Sequence, residues 1–307
     1  VKDLSLPSGK LEVESLAELD NPWAMAYLPD ERLLITEKPG NPRILADGKL
    51  SDPPGGIPKV EYHDQGGLLD VAVETPTSQT TASSICPTPR LPKSSRPMPA
   101  KRRTRTSGDR QRFEPAQDMK SNLGKIVRIK PDGSIPEDNP FVNQEGARAD
   151  IWSLGHRNEL GAAFRPGTFE LRVHEMAPKG GDELNRIDKG KNYGWPIVSE
   201  GKHYDDADIP NHSEKPEFRK PDIAWVPSIS PAALIFYTGD KIKDWKGKAI
   251  LGGLSSEAVI VVSFDRSKVA GAEVIKMGKR IREVAPGPRR RLAAASRWRQ
   301  RRRSLAA

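Results

Sequence analysis

Short alternating apolar runs, separated by turns of proline, aspartate and glycine, recur along the chain. Trp23-Ala24-Met25-Ala26-Tyr27-Leu28 enters the turn Pro29-Asp30 and is followed by Arg32-Leu33-Leu34-Ile35-Thr36. Gly124-Lys125-Ile126-Val127-Arg128-Ile129 leads into Pro131-Asp132-Gly133, and Gly161-Ala162-Ala163-Phe164 passes through Pro166-Gly167 to Phe169-Glu170-Leu171-Arg172-Val173. Alternation buries one face of a pleated strand, proline fixes φ, and aspartate or glycine tolerates turn geometry, so each unit predicts a β-hairpin. Further strands are predicted at Ala249–Gly253 and Ala258–Phe264, around a turn at Ser255-Ser256-Glu257. The second is continuously apolar and is expected to be buried on both faces. Hairpins repeated along 307 residues predict an all-β protein built of propeller blades, while the irregular spacing leaves a sandwich or barrel open.

Composition supports this reading. Twenty-eight prolines and 26 glycines with 36% hydrophobic residues suit many short strands better than a helix bundle. No apolar run approaches the roughly 20 residues needed to span a bilayer. The single cysteine, Cys86, excludes an intrachain disulfide and a zinc site built on several thiolates. Val1-Lys2-Asp3-Leu4 carries no apolar signal core, as expected of a cytoplasmic chain or of a mature exported one.

The formal charge of +9 is concentrated in two places. Segment 76–107 holds seven Lys or Arg and no acid, and residues 289–307 hold eight Arg and no acid; without these fifteen charges the rest of the chain stands at −6. Both segments lack usable periodicity and are expected to be disordered or poorly packed, a linker and a tail rather than nucleic-acid-binding arms. Their abrupt, arginine-rich onset reads as out-of-frame translation of a GC-rich gene. The domain prediction is therefore one unit over 1–288, interrupted at 76–107, with a tail at 289–307.

Four motifs carry chemistry. Gly155-His156-Arg157-Asn158 places a guanidinium fork, suited to a carboxylate or quinone oxygen, beside a neutral amide. Arg280-Ile281-Arg282 puts two cations on one side of a strand. Pro178-Lys179-Gly180-Gly181-Asp182-Glu183 and Tyr193-Gly194-Trp195-Pro196 bring adjacent carboxylates and glycines to loops. Each in isolation also fits ordinary surface or turn residues.

Together, with His63-Asp64-Gln65-Gly66-Gly67-Leu68-Leu69, these motifs resemble the soluble quinoprotein glucose and aldose sugar dehydrogenases over residues 10–75 and 108–288. That resemblance implies a six-bladed propeller, partly incomplete here, which oxidises aldoses at C1 with pyrroloquinoline quinone (PQQ) and calcium. It further implies a periplasmic location and an external electron acceptor. It assigns Arg157 and Asn158 to the quinone end of PQQ, Arg280 and Arg282 to its carboxylates, and Gln65 to the neighbourhood of substrate and quinone. Ala177 and Pro178 stand where family main-chain carbonyls hold the active-site calcium, and Glu183 and Tyr193 where a second calcium is bound. Asp109 matches the aspartate that orients a histidine base, but the His-x-Gly-Gly-Arg-Leu motif carrying that base is missing, so turnover is expected to be impaired. The family's third cationic contact falls near Ser255. Trp225 reads equally as a sugar-facing aromatic or a packed core residue. A non-catalytic binding propeller and a calcium-dependent lactonase-like hydrolase are the alternatives.

Overall fold

The computed structural model describes residues 2–6, 9–54, 81–84, 103–108, 114–130, 132–287 and 292–297. Among them the regular structure is strand, apart from two single 3-10 turns at Glu114–Ala116 and Lys243–Trp245. Strands β1 (Lys2–Leu6) and β2 (Gly9–Val13) form a two-stranded sheet. The second sheet runs in chain order through β3 (Pro22–Tyr27), β4 (Leu33–Glu37), β5 (Asn41–Ala46) and β6 (Lys49–Leu50), and the third comprises β7 (Thr81–Ser84), β8 (Arg103–Ser107), β9 (Lys125–Ile129) and β10 (Ile151–Leu154). The fourth holds β11 (Glu159–Phe164), β12 (Leu171–Glu175), β13 (Asp182–Arg186) and β14 (Ile223–Trp225). The fifth holds β15 (Pro231–Phe236), β16 (Ala249–Gly253), β17 (Ala258–Asp265) and β18 (Lys268–Lys276), and the sixth holds β19 (Arg280–Pro286) and β20 (Leu292–Arg297). Consecutive sheets of consecutive strands are the propeller pattern. Here it gives four four-stranded blades and two two-stranded sheets among the described residues.

Period two explains how the blades stack. Leu251, Ala258, Ile260 and Val262 face one side of the fifth sheet and pack with Leu184 and Trp225 of the fourth. Ile250, Val259 and Val261 face the other side and pack with Ile281 and Val284 of the sixth. The β17 run Ala258–Val262 is thus buried on both faces, as its unbroken apolar character requires. Ala285 and Ala295 of the sixth sheet continue the core onto Met25, Leu33, Ile35 and Leu45 of the second. Ile126 of the third meets Leu171 and Val173 of the fourth. Burying each Val, Leu or Ile side chain in these clusters contributes about 1.5–3 kcal/mol.

The structure departs from the sequence reading in three places. Leu292–Arg297, within the tail expected to be unstructured, is a strand paired antiparallel with β19. Its Leu-Ala-Ala-Ala core, obscured by the flanking arginines, is small and apolar enough to enter the cluster around Met25. Within the atypical segment 76–107, Thr81–Ser84 and Arg103–Ser107 pair in parallel. The turn after β9 does form, with the Gly133 N–H donating to the Lys130 carbonyl at 2.9 Å. The chain returns as β10 only at Ile151, because 134–150 lacks alternation; Asn139 fixes this loop by donating to the carbonyls of Arg128 and Ala149, both at 2.9 Å. Among the described residues no helix is long and apolar enough to cross a membrane.

Candidate active site

The loop 155–158 joins β10 to β11 and is fixed by its glycine. Gly155 has φ +77°, and a Cβ there would lie 2.2 Å from Asn192 Oδ1 and 2.5 Å from the Gly194 nitrogen. Its N–H donates to the Ala116 carbonyl and its own carbonyl accepts from the Trp195 N–H, both at 3.0 Å. The Gly-His-Arg-Asn and Tyr-Gly-Trp-Pro motifs are thereby joined.

Beneath the loop lies a buried polar network centred on Glu175. Glu175 Oε1 accepts from His156 Nδ1 at 3.0 Å, and Oε2 accepts from the Arg157 backbone N–H at 2.7 Å. The other His156 nitrogen lies 2.9 Å from Ser153 Oγ, and the ring stacks on Tyr193 with centroids 4.6 Å apart. Asn185 Nδ2 donates to both Glu175 Oε1 (2.9 Å) and Glu183 Oε2 (3.0 Å). Glu175 and Glu183 are direct cross-strand partners on β12 and β13, which places two carboxylates on one face. Burial, reinforced by the charge of Glu175, pushes the Glu183 carboxyl well up. Burial acts to raise Glu175 too, but the His156 ring and the donors from His156, Arg157 and Asn185 leave it below its ordinary value. Ser153, His156 and Glu175 have the order of a hydrolytic triad. Ser153 and His156 are 0% exposed, so no substrate reaches them and the network serves to hold the loop.

Arg157 projects from this base. Its Nη1 donates to the Met176 carbonyl at 2.6 Å and its Nη2 to the Tyr204 hydroxyl at 2.9 Å. The guanidinium sits 5.6 Å from the Trp195 ring centre and 5.7 Å from that of Tyr204. Its Nε is buried with no hydrogen-bond partner among the described residues. Arg157, Glu175, Ala177, Glu183, Tyr193 and Trp195 line one narrow cleft. An orphaned guanidinium N–H beside aromatic rings fits an acceptor oxygen on a flat, anionic cofactor.

The carboxylate wall and the main chain around Ala177 suit a hard cation such as calcium. Among the described residues no three His, Cys, Asp or Glu side chains converge as a metal site, so such a cation would depend on main-chain oxygens. Asp182 builds that main chain. It accepts from the Ala177 N–H at 3.0 Å, from the Ser230 N–H at 2.7 Å and from the Ser228 hydroxyl, tying the Ala177-Pro178 turn to the loop after β14. The Tyr193 carbonyl accepts from His212 Nε2 at 3.1 Å.

The structure therefore gathers Arg157, Ala177, Glu183 and Tyr193 at one cleft, with Pro178 next in chain and Asn158 flanking. The Asn158 carbonyl accepts from the Met176 N–H at 3.0 Å. Arg280 and Arg282 lie on β19, and Arg282 stacks 4.4 Å over Trp23; neither lines the cleft. Gln65 and Asp109 lie outside the described residues, as does His63. Trp225 is buried in the core cluster with Leu184 and Ile260, which resolves its two readings in favour of packing. Ser255 donates to the Ser228 carbonyl at 3.0 Å. Sequence reasoning missed Glu175, Asn185 and Tyr204. The first two act across strands, and Tyr204 acts from a loop 47 residues beyond Arg157.

The family model described as Glucose / Sorbosone dehydrogenase matches residues 19–82 and 102–299. The break at 83–101 falls inside the arginine-rich segment, and the match continues into the tail. The chain is similar to the aldose sugar dehydrogenase YliI of Escherichia coli (strain K12), at 36% identity over 91% of this chain and 88% of that protein. Quinoprotein glucose dehydrogenase B of Acinetobacter calcoaceticus is 39% identical over 43% of this chain and 26% of that protein. Among solved structures, a glucose dehydrogenase superposes with TM-score 0.77 at 31% identity, covering 91% of this chain and 94% of the other. The apo form of the soluble aldose sugar dehydrogenase from Escherichia coli gives 0.73 at 31%, covering 91% and 93%.

Proposed function

The chain belongs to the glucose and sorbosone dehydrogenase family, and from that premise we propose that it oxidises aldose sugars at C1 with PQQ as acceptor and calcium at the same cleft. The observation that carries the reading is Arg157, held rigidly from its backbone, its two Nη atoms and its faces, with its buried Nε unpartnered among the described residues. When bound, PQQ would supply a quinone able to accept hydride from the aldose C1, and calcium would supply divalent charge at the cleft. Likeness to a protein named as a quinoprotein supports PQQ as the cofactor.

The chain's own residues do the positioning. Arg157 offers N–H groups to an oxygen that gains negative charge, and this preorganised donor needs no rearrangement as the charge develops. Glu175 and Asp182 keep the two sides of the cleft in register by binding the backbone at Arg157 and Ala177. Glu175, held below its ordinary value, keeps a negative charge at the cleft wall, beside which main-chain oxygens around Ala177 would hold the cation. His156, His174 and His212 are buried and hydrogen-bonded within the scaffold, and His203 lies half-buried beside Trp195. Export to the periplasm and electron delivery to an external acceptor complete the proposal.

Dye-coupled aldose oxidation, with and without added PQQ and calcium, tests this reading. Activity that requires both is expected, at a rate below that of relatives carrying the full histidine motif. Aldose oxidation without added quinone by protein shown to be free of PQQ would contradict it.

A further inference from the structure

Tyr204 is 62% exposed, yet its hydroxyl and the backbone of its loop are hydrogen-bonded in place. Its hydroxyl accepts from Arg157 Nη2 at 2.9 Å, and the Arg157 guanidinium lies 5.7 Å from the ring centre. The short loop that presents it is closed on itself, with the His203 N–H donating to the Ala207 carbonyl at 2.9 Å and the Asp206 N–H to the His203 carbonyl at 3.1 Å. It is also stapled to the turn after Ala177. The Lys202 N–H donates to the Lys179 carbonyl at 3.0 Å, and Lys179 pairs with Asp206. The two backbones meet so closely that a Cβ on Gly201 would lie 2.2 Å from the Gly180 carbonyl oxygen.

An aromatic ring held open to solvent forgoes the free energy of its own burial, and its flat apolar surface favours a partner that covers it. This ring stands 5.7 Å from the guanidinium of Arg157, whose Nε the proposed cofactor would use. A pyranose matches it chemically, since one sugar face exposes C–H groups while the hydroxyls project from the rim. Trp225, the aromatic that the sequence suggested for this task, is buried in the core.

We propose that Tyr204 is the aromatic platform against which the aldose ring packs, and so a specificity-determining residue; the assignment rests on the sugar-oxidising reading above. The Arg157 hydrogen bond fixes the height and tilt of the ring, and the apolar face makes the contact.

The test compares Tyr204→Ala and Tyr204→Phe with wild type in three measurements. These are aldose KM and kcat of the PQQ-loaded protein, PQQ affinity by tryptophan fluorescence quenching, and saturation-transfer NMR of the aldose on cofactor-free protein. Tyr204→Ala is expected to raise KM about tenfold, about 1.4 kcal/mol, with a smaller effect on kcat, and to lose saturation transfer to the sugar C–H protons. Tyr204→Phe is expected to return KM to within about threefold of wild type, because the ring is retained. An unchanged KM in Tyr204→Ala would overturn the proposal. So would equal impairment in both variants, which would assign the effect to the hydroxyl, or a loss of PQQ affinity in Tyr204→Ala, which would assign the ring to the cofactor. Saturation transfer that depends on Tyr204 in a protein that takes up no PQQ would uphold the platform while refuting the sugar-oxidising reading.

Discussion

Glu175 accepts the backbone N–H of Arg157 at 2.7 Å with one carboxylate oxygen and His156 Nδ1 with the other, so a single buried side chain sets both the position of the loop and the ring beneath it. Glu175→Gln replaces one acceptor oxygen by a donor facing N–H groups. The variant is expected to lose about 2–4 kcal/mol of stability, the scale of a broken buried charged network, and to bind PQQ more weakly. Urea unfolding and a fluorescence titration with PQQ measure the two effects.

Arg157→Lys keeps the charge and loses the fork. A lysine ammonium cannot meet the Met176 carbonyl, the Tyr204 hydroxyl and a cofactor oxygen in the directions that Nη1, Nη2 and Nε now occupy. PQQ affinity is expected to fall at least tenfold, with a loss of about 1–3 kcal/mol of stability from the Met176 and Tyr204 bonds. Equal PQQ binding by the two proteins would place the quinone elsewhere.

Gly161 sits directly opposite His174 across β11 and β12, and a Cβ added to it would lie 2.2 Å from His174 Nε2. That nitrogen donates to the Ala233 carbonyl of the next blade at 2.9 Å. Gly161→Ala is therefore expected to cost about 1–3 kcal/mol by overpacking and by breaking this inter-blade bond. Chemical denaturation of the variant at neutral pH checks it.

His174 also predicts how the fold responds to acid. Burial lowers its pKa to about 4 from the ordinary 6.5, and its buried Nδ1 has no hydrogen-bond partner among the described residues to stabilise a proton there. The folded state keeps the ring neutral, whereas the unfolded chain takes up a proton below pH 6.5, so its contribution is complete above 6.5 and declines as pH falls toward 4. Unfolding free energies measured between pH 7.5 and 4.5 should show that decline, and His174→Gln should remove part of the slope.

The hairpins were legible wherever alternation and turn chemistry coincide, as at 161–175, and the unbroken run at 258–262 announced its two-sided burial. The tail strand was not, because three small alanines between arginine clusters look solvated until β19 offers them an edge. At the site, Arg157, Ala177, Glu183 and Tyr193 could be singled out because motifs bracket them, and the cleft brings them together. Glu175 gave no such signal. Its function depends on the register that sets it opposite Glu183 and within reach of a backbone N–H eighteen residues away, and neither fact is local. Trp225 and Tyr204 show the same limit for aromatics, since residue type does not state which ring the fold will cover.

The central claim is that the Arg157 cleft holds PQQ in position to accept electrons from an aldose. Mixing PQQ-loaded protein with an aldose under anaerobic conditions and following the quinone absorbance tests it most directly. The account predicts that the sugar reduces the bound quinone in wild type and much more slowly in Arg157→Lys. An unchanged quinone spectrum in folded, PQQ-loaded wild type would contradict it.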